Sequence, residues 1–198
     1  MKRLVVLASL VLLGAVGGAS AAPQADLLIR PGFGIGKFRL GMTEAQLRRA
    51  AGKPRYVVHR SRTFGLVRVE YQYGFGAEYI ATLVGRRGRL RVTRVSTIVR
   101  HEKTPKGVGP GSLERTLLRA HPTAHCQPLR MKSVAPGLAF LERPYRTCTL
   151  LAASGRPTIF LTQWSEPKLR PGQLHPKLNI ENYLRYARVT EVVVARAG

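Results

Sequence analysis

The chain has 198 residues, with 33 lysines and arginines against 10 aspartates and glutamates, giving a formal charge of +23. Hydrophobic residues make up 44% of the sequence and charged residues 22%, a composition that supplies a core and excludes collagen-like, coiled-coil and wholly disordered chains. The excess of positive charge favours a polyanionic partner such as nucleic acid, anionic lipid or an acidic polymer.

The first 22 residues have the pattern of a secretory signal peptide. Lys2 and Arg3 precede the 13-residue apolar run Leu4–Val16, and the small residues Ala19–Ala22 follow, which is the order that ends in an A-x-A cleavage site. A retained membrane anchor is the competing interpretation, but a spanning helix needs about 20 apolar residues. Cleavage would leave a body of charge +21, secreted or extracytoplasmic in the cell envelope, with no stable membrane span. We expect residues 23–32 to form a linker.

A first unit, residues 33–100, is predicted to begin with a helix over Glu44–Ala51. Thr43 and Gln46 form a capping box, Gly52 supplies a left-handed C-terminal position and Pro54 prevents continuation. Three strands of an antiparallel meander should follow at Val67–Tyr73, Glu78–Val84 and Leu90–Val99. The first of these alternates strictly between apolar and polar residues.

A second unit, residues 101–198, is predicted to repeat this order. Residues 111–120 align with residues 41–50 at an offset of 70, and Val189–Val192 echoes Val92–Val95 at an offset of 97. Its strands are expected at Leu138–Glu142, Tyr145–Leu151, Thr158–Trp164 and Arg188–Ala195. Residues 165–187 are predicted to be an inserted loop with a short helix near Glu181–Tyr186. The predicted fold is therefore α+β, two tandem units of a short helix plus a meander, with one sheet face covered by helices.

Cys126 and Cys148 are the two cysteines of the sequence. In an exported chain a single pair most simply forms a disulfide, which here would close a 23-residue loop. A metal site is the alternative, since His121 and His125 lie close to Cys126, but Pro122 opposes a helix that would bring both imidazoles to one face.

Residues 40–54 carry a family resemblance. The segment Leu40-Gly-Met-Thr-Glu-Ala-Gln-Leu-Arg-Arg-Ala-Ala-Gly-Lys-Pro54 resembles the G-M-T-x-x-Q signature of the SmpA/OmlA-like outer-membrane assembly lipoproteins. The tandem arrangement is similar to the β-lactamase-inhibitor-protein fold, in which helical segments pack on one face of an antiparallel sheet. The resemblance implies a disulfide that ties the loop after the second helix to a strand. The chain has no lipobox, and the signature residues are capping and turn residues that carry no chemistry.

Motifs of known catalytic chemistry are absent from the sequence. It contains no G-x-S-x-G, no P-loop, no G-x-G-x-x-G before a helix and no H-E-x-x-H. The ten carboxylates are not paired along the chain. The sequence therefore predicts a non-enzyme without a cofactor or metal site.

Basic clusters are the main functional feature. The candidate anion-binding residues lie on one hairpin: Arg86, Arg87, Arg89, Arg91 and Arg94. Two further groups are Arg55, His59, Arg60 and Arg62 before the first strand, and Lys168, Arg170 and Lys177 in the inserted loop. Arginine also outnumbers lysine 25 to 8, a bias typical of GC-rich coding, so part of the charge has a compositional origin.

Three functions remain open at this point, of which the last in order of preference is an enzyme that would need a pocket with converging ionisable groups. The first is an exported, non-catalytic protein-interaction module of inhibitor or adaptor type, binding an unknown protein through an exposed aromatic patch that includes Tyr79 and Trp164. The second is an electrostatic binder of an anionic envelope polymer or of extracellular nucleic acid through the arginine hairpin. Nucleic acid is not favoured, because the chain carries no known binding motif and is predicted to be exported.

Overall fold

The computed structural model describes residues 28–129, 145–163 and 186–196. Its helices are α1 (Glu44–Ala51) and α2 (Glu114–Ala120). The strands in chain order are β1 (Ile29–Arg30), β2 (Gly34–Ile35), β3 (Phe38–Arg39), β4 (Tyr56–Thr63), β5 (Leu66–Tyr73), β6 (Tyr79–Gly85), β7 (Arg91–Thr97), β8 (His125–Leu129), β9 (Tyr145–Leu151), β10 (Pro157–Gln163) and β11 (Arg188–Ala195). No helix in these ranges is long and apolar enough to cross a bilayer.

Eight of the described strands form one antiparallel sheet. Their order is β4-β5-β6-β7-β11-β10-β9-β8, so the four strands that follow α1 meet the four that follow α2 at the β7–β11 pair. Strands β1, β2 and β3 form a separate small antiparallel sheet. The two groups of four strands therefore lie edge to edge.

The central pair has the register of a local two-fold axis. Ser96 lies opposite Val193, 97 positions later in the chain, so this one pair of residues related by the sequence offset meets at the middle of the sheet, as a pair on a two-fold axis would. Both halves also make the same backbone contacts before their helices. The Gly41 amide donates to Val92 and the Gly111 amide donates to Val189, each at 2.7 Å. These bonds hold each helix start against its central strand.

The core lies on one face of the large sheet, beneath a layer formed by the two helices, the small sheet and the loop between β7 and α2. Leu47 is the buried residue of α1, while α2 buries Glu114 and Leu117. The small sheet adds the fully or nearly fully buried side chains Ile29, Ile35 and Phe38, and the loop between β7 and α2 adds Val108. Ile29 belongs to the segment expected to be a linker, where it forms part of β1.

The predicted α+β class, with helices covering a sheet face, is wrong. Strands make up 49% and helices 12% of the part of the chain that the structure describes. The physical reason is length, since helices of 8 and 7 residues extend only about 10–12 Å. A sheet of eight strands is roughly 35 Å wide at the usual strand spacing. The small sheet and the loop before α2 therefore supply most of the cover.

The helices and strands predicted from the sequence agree with the structure to different degrees. The helix over Glu44–Ala51 and the strands over Tyr145–Leu151 and Arg188–Ala195 have the expected bounds, and the other predicted strands in the described ranges shift by one or two residues. Strands β4 and β8 were missed, as was the small sheet. In β4 a register shift between Arg60 and Arg62 breaks the alternation that marks a strand. The expected strand over Leu138–Glu142, the short helix apart from Tyr186, and nearly all of the loop 165–187 lie outside the described residues.

The second half is fastened by a cross-link beside a buried ion pair. Cys126 and Cys148 lie opposite each other on β8 and β9 and form a disulfide, which confirms the predicted pairing. Next to it the buried Glu114 carboxylate accepts hydrogen bonds from Arg146 at 2.5 Å and from the Thr162 hydroxyl at 2.6 Å. A disulfide of this kind is typical of oxidising compartments outside the cytoplasm.

Removing the disulfide should destabilise the fold. The two half-cystines are 22 positions apart, and closing a loop of this size is worth about 3 kcal/mol in the unfolded chain. We expect the Cys126→Ala/Cys148→Ala variant to lose about 3 kcal/mol of unfolding free energy in urea titrations followed by circular dichroism. Wild-type protein under reducing conditions is the control and should lose a similar amount. A double variant as stable as the oxidised protein would contradict the assignment.

Candidate anion-binding site

The start of β7 passes directly beside the N-terminus of α1. Thr43 and Arg91 form an isolated antiparallel bridge, and the Val92 amide donates to the Met42 carbonyl at 2.8 Å. The Arg91 guanidinium donates to the Gly41 carbonyl at 3.0 Å. Arg91 is therefore held at a fixed position on the ridge between two shallow grooves, and it lines both.

The first groove, which we call the cap groove, has a volume of about 690 Å³. It is lined by Thr43, Glu44, Ala45, Arg48, Gly88, Arg89, Leu90 and Arg91. The capping box predicted for Thr43 and Gln46 is present, so the Thr43 side chain already satisfies a backbone amide of the first helical turn. Three arginines against one carboxylate make the cap groove positive.

The second groove, which we call the arginine groove, has a volume of about 620 Å³. Its lining residues are Phe33, Arg39, Leu40, Gly41, Met42, Gln46, Arg49, Ala50 and Arg91. Three of these are arginines and none is a carboxylate. The Arg39 guanidinium lies 5.6 Å from the centre of the Phe33 ring, a cation–π contact that helps to orient it. Contacts within the protein thus hold Arg39 and Arg91, while Arg49 is exposed. Guanidinium groups beside apolar side chains suit a multivalent anion with carbon-rich stretches.

The single carboxylate of the cap groove is already engaged. The Tyr71 hydroxyl donates to Glu44 Oε1 at 2.5 Å, and Arg48 donates to the same oxygen at 3.1 Å. Arg48 also donates to the Tyr71 hydroxyl at 3.1 Å. Burial, together with the hydrogen bond to Glu44, raises the pKa of Tyr71. Glu44, Arg48 and Tyr71 thus form a triad in which the tyrosine is neutral and each side chain is bonded to the other two. The triad holds α1 against β5 and does not supply an acid–base pair.

The structure divides the five predicted anion-binding arginines. Arg89 and Arg91 line the cap groove. Arg86 and Arg87 are exposed on the turn between β6 and β7. Arg94 lies 4.0 Å from Glu191 on β11.

The predicted partner-binding residues are placed differently. Tyr79 is half-buried, with its ring stacked on Phe38 at 4.9 Å and its hydroxyl donating to the buried Glu102 at 2.5 Å. Burial and this hydrogen bond raise the pKa of Tyr79. Tyr71 and Tyr73 are buried as well, so Tyr71, Tyr73 and Tyr79 do not form the expected exposed aromatic patch. Trp164 lies outside the described residues.

The remaining basic groups and the histidines have other surroundings. Arg55 stacks on Phe75 at 4.8 Å, and His59, Arg60 and Arg62 are positions on the edge strand β4. Lys168, Arg170 and Lys177 lie outside the described residues. His121 is buried, with Nε2 3.4 Å from the Thr104 hydroxyl, and His125 is exposed on β8.

Metal-ligand residue types come together once in the described ranges. The Glu114 carboxylate and the sulfurs of Cys126 and Cys148 lie within 4.8 Å of one another. Both sulfurs are bonded in the disulfide, so they offer no thiolate to a metal ion.

Sequence reasoning missed Arg39, Arg48 and Arg49 as parts of a site. The capping box fixes the phase of α1 and thereby the exposed position of Arg49. That signal shows that Arg49 is on the surface. It does not show that β7, more than 40 positions later, brings Arg91 beside it.

The two buried tyrosines of β5 should respond in opposite ways to loss of their hydroxyls. The Tyr71 hydroxyl is bonded to Glu44 and Arg48, whereas the Tyr73 hydroxyl has no hydrogen-bond partner among the described residues. We expect Tyr71→Phe to lower the free energy of unfolding by about 1–2 kcal/mol and Tyr73→Phe to raise it by about 1 kcal/mol. Paired urea titrations measure both, and equal effects would contradict the contact assignment.

Tyr73 should also make stability fall at alkaline pH. Burial raises its pKa to about 12 in the folded protein, above the value near 10 of an exposed tyrosine. Its neutral form is therefore fully favourable below pH 10, and that contribution is lost as the pH rises toward 12. Tyr73→Phe should flatten the decline in unfolding free energy between about pH 9.5 and 11. An unchanged slope would show that other groups control it.

Comparisons with protein-family models, with curated proteins and with solved structures found no match, so the resemblance carried by residues 40–54 rests on that segment alone.

Proposed function

We propose that this protein is an exported, non-catalytic binding protein that holds a polyanion of the cell envelope in the arginine groove. The observation that carries the proposal is the lining of that groove, which includes Arg39, Arg49 and Arg91 and no carboxylate. Guanidinium groups donate two parallel hydrogen bonds to a phosphate or carboxylate. Three of them along one groove match successive anionic groups on a polymer.

The charge of the whole chain supports the same partner. A formal charge of +23 creates a long-range field that concentrates polyanions near the surface and accelerates their association. The arginine groove then provides the local contacts. The cap groove continues this positive surface on the other side of Arg91, which lengthens the path available to an extended polymer.

Export is part of the proposal. Residues 1–22 have the order of a signal peptide. The disulfide between Cys126 and Cys148 adds the redox argument, since such bonds persist in oxidising compartments. A polyanion outside the cytoplasm is thus more accessible to the protein than genomic nucleic acid.

An inhibitor or adaptor that binds another protein is the second candidate. Edge strand β4 favours it, because β4 ends the sheet order and exposes Tyr56 at 54% and Val57 at 41%. An extended segment of a partner can add to such an edge through backbone hydrogen bonds. Docking of a partner on the face of the sheet is a weaker candidate, because Tyr71 and Tyr73 are buried there.

Binding to a polyanion should depend on Arg49 and on salt. We expect the affinity for fluorescently labelled polyphosphate to fall steeply between about 50 and 200 mM salt. Arg49→Ala should weaken binding about tenfold at the lower salt concentration, because it removes a charge-assisted contact. The slope of log affinity against log salt should fall by roughly one unit. Fluorescence anisotropy measures both quantities.

Arg119→Ala is the matched control. Arg119 is exposed on α2, 70 positions after Arg49, and does not line either groove. It removes the same charge from the corresponding helix, so a field effect alone would make the two variants equal. Equal losses, or affinity that salt does not change, would overturn the arginine groove as the binding site. In that case a protein partner at β4 becomes the better candidate.

A further inference from the structure

The hairpin between β4 and β5 has an unusual residue at its tip. Thr63 pairs with Leu66, so Phe64 and Gly65 form a two-residue turn, with φ of +50° and +73°. Turns of this type normally use Asn, Asp or Gly at both positions, because these residues tolerate positive φ. Phe64 therefore occupies a strained backbone position that its side chain does not favour.

No packing within the described fold offsets this strain. The Phe64 side chain is 99% exposed, and the neighbouring Leu66 is 46% exposed. A side-chain carbon added at Gly65 would meet no atom within 4 Å. The tip therefore projects into solvent as an apolar point. Strained backbone positions concentrate at functional sites, so the combination of positive φ and full exposure at Phe64 makes the tip a candidate interaction site.

Arginines surround the apolar tip. Val67 pairs with Gly85, so the turn that carries Arg86 and Arg87 lies at the same end of the sheet as Phe64, about 10 Å away across two strand spacings. Both arginines are exposed, as is Arg62 on the hairpin itself. Arg68 is also exposed but contacts Glu70 at 3.3 Å. This end of the sheet thus combines exposed apolar side chains, Phe64 and Leu66, with a cationic rim formed by Arg62, Arg86 and Arg87.

We propose that this end of the sheet docks onto an anionic lipid bilayer. Phe64 and Leu66 enter the interfacial region, and Arg62, Arg86 and Arg87 contact headgroup phosphates. The tip is convex and narrow, which suits a fluid interface that closes around it. The positive charge of the rim is complementary to an anionic bilayer and would gain little from a neutral one.

This inference goes beyond the polymer-binding function and uses a different surface. Phe64, Leu66, Arg62, Arg86 and Arg87 line neither groove beside α1. A membrane-docked molecule could therefore keep the arginine groove available for its polymer. The two proposals can succeed or fail separately.

Vesicle binding by hairpin variants tests the proposal. The full protein is sedimented with vesicles of phosphatidylglycerol and phosphatidylcholine in equal parts, and with vesicles of phosphatidylcholine alone. We expect binding to the anionic vesicles, little binding to the neutral ones, and about a tenfold loss for Phe64→Ser. Because Phe64 is 99% exposed, this variant should retain the wild-type circular dichroism spectrum and urea midpoint.

Phe75→Ser is the matched control. Phe75 is 79% exposed and follows the other end of β5, about 25 Å from Phe64 along the strand. It should leave vesicle binding unchanged. Arg49→Ala should also leave vesicle binding unchanged while weakening polyphosphate binding, which separates this proposal from the previous one.

Insertion has its own readout. Phe64→Trp should give a blue-shifted emission component on anionic vesicles that the wild-type protein lacks. The proposal is overturned if the wild-type protein does not bind anionic vesicles, or if Phe64→Ser and Phe75→Ser bind them equally well. Equal vesicle binding combined with loss of a co-purifying protein from Phe64→Ser would assign the tip to a protein partner and would likewise overturn bilayer docking.

Discussion

Backbone pairing between β7 and β11 unites the two halves of the large sheet. It joins the strands that follow α1 to the strands that follow α2 in one antiparallel sheet. The register places Ser96 opposite Val193, so the two halves face each other with the symmetry of a local two-fold axis. We propose that the halves are repeats of one unit, and the matched bonds from Gly41 to Val92 and from Gly111 to Val189 support this. A single continuous core then forms on one face.

The two halves anchor their helices through the same carboxylate position in different ways. In the first half, Glu44 is part-exposed and pairs with Arg48 and Tyr71. In the second, the corresponding Glu114 is fully buried against Arg146 and Thr162. The same helical position thus serves a solvent-facing network in one half and a core ion pair in the other. In the first half, the two grooves beside α1 are lined by five arginines, Arg39, Arg48, Arg49, Arg89 and Arg91.

The two proposed surfaces differ in shape and therefore in the ligands that they suit. The arginine groove is concave and brings together three guanidinium groups, which suit bidentate contacts with the anionic groups of a polymer. The hairpin tip is convex and presents an aromatic ring that no part of the described fold covers. Both lie outside the core, where arginine keeps its hydration and costs the fold little. A high net charge is compatible with a stable fold for this reason, although only some of the arginines contribute to a site.

Features that depend on neighbouring residues could be predicted from the amino-acid sequence. The capping box of Thr43 and Gln46 defined α1, alternation defined β5, and the cysteine pair defined the disulfide. Tertiary structure decided the class of the fold, the small sheet that completes the cover, and the strand β4, whose register shift hides its periodicity. It also decided the site, because Arg49 and Arg91 meet only when β7 pairs beside the start of α1. Local patterns report dihedral preference and burial, whereas contacts between distant strands depend on the packing of the whole chain.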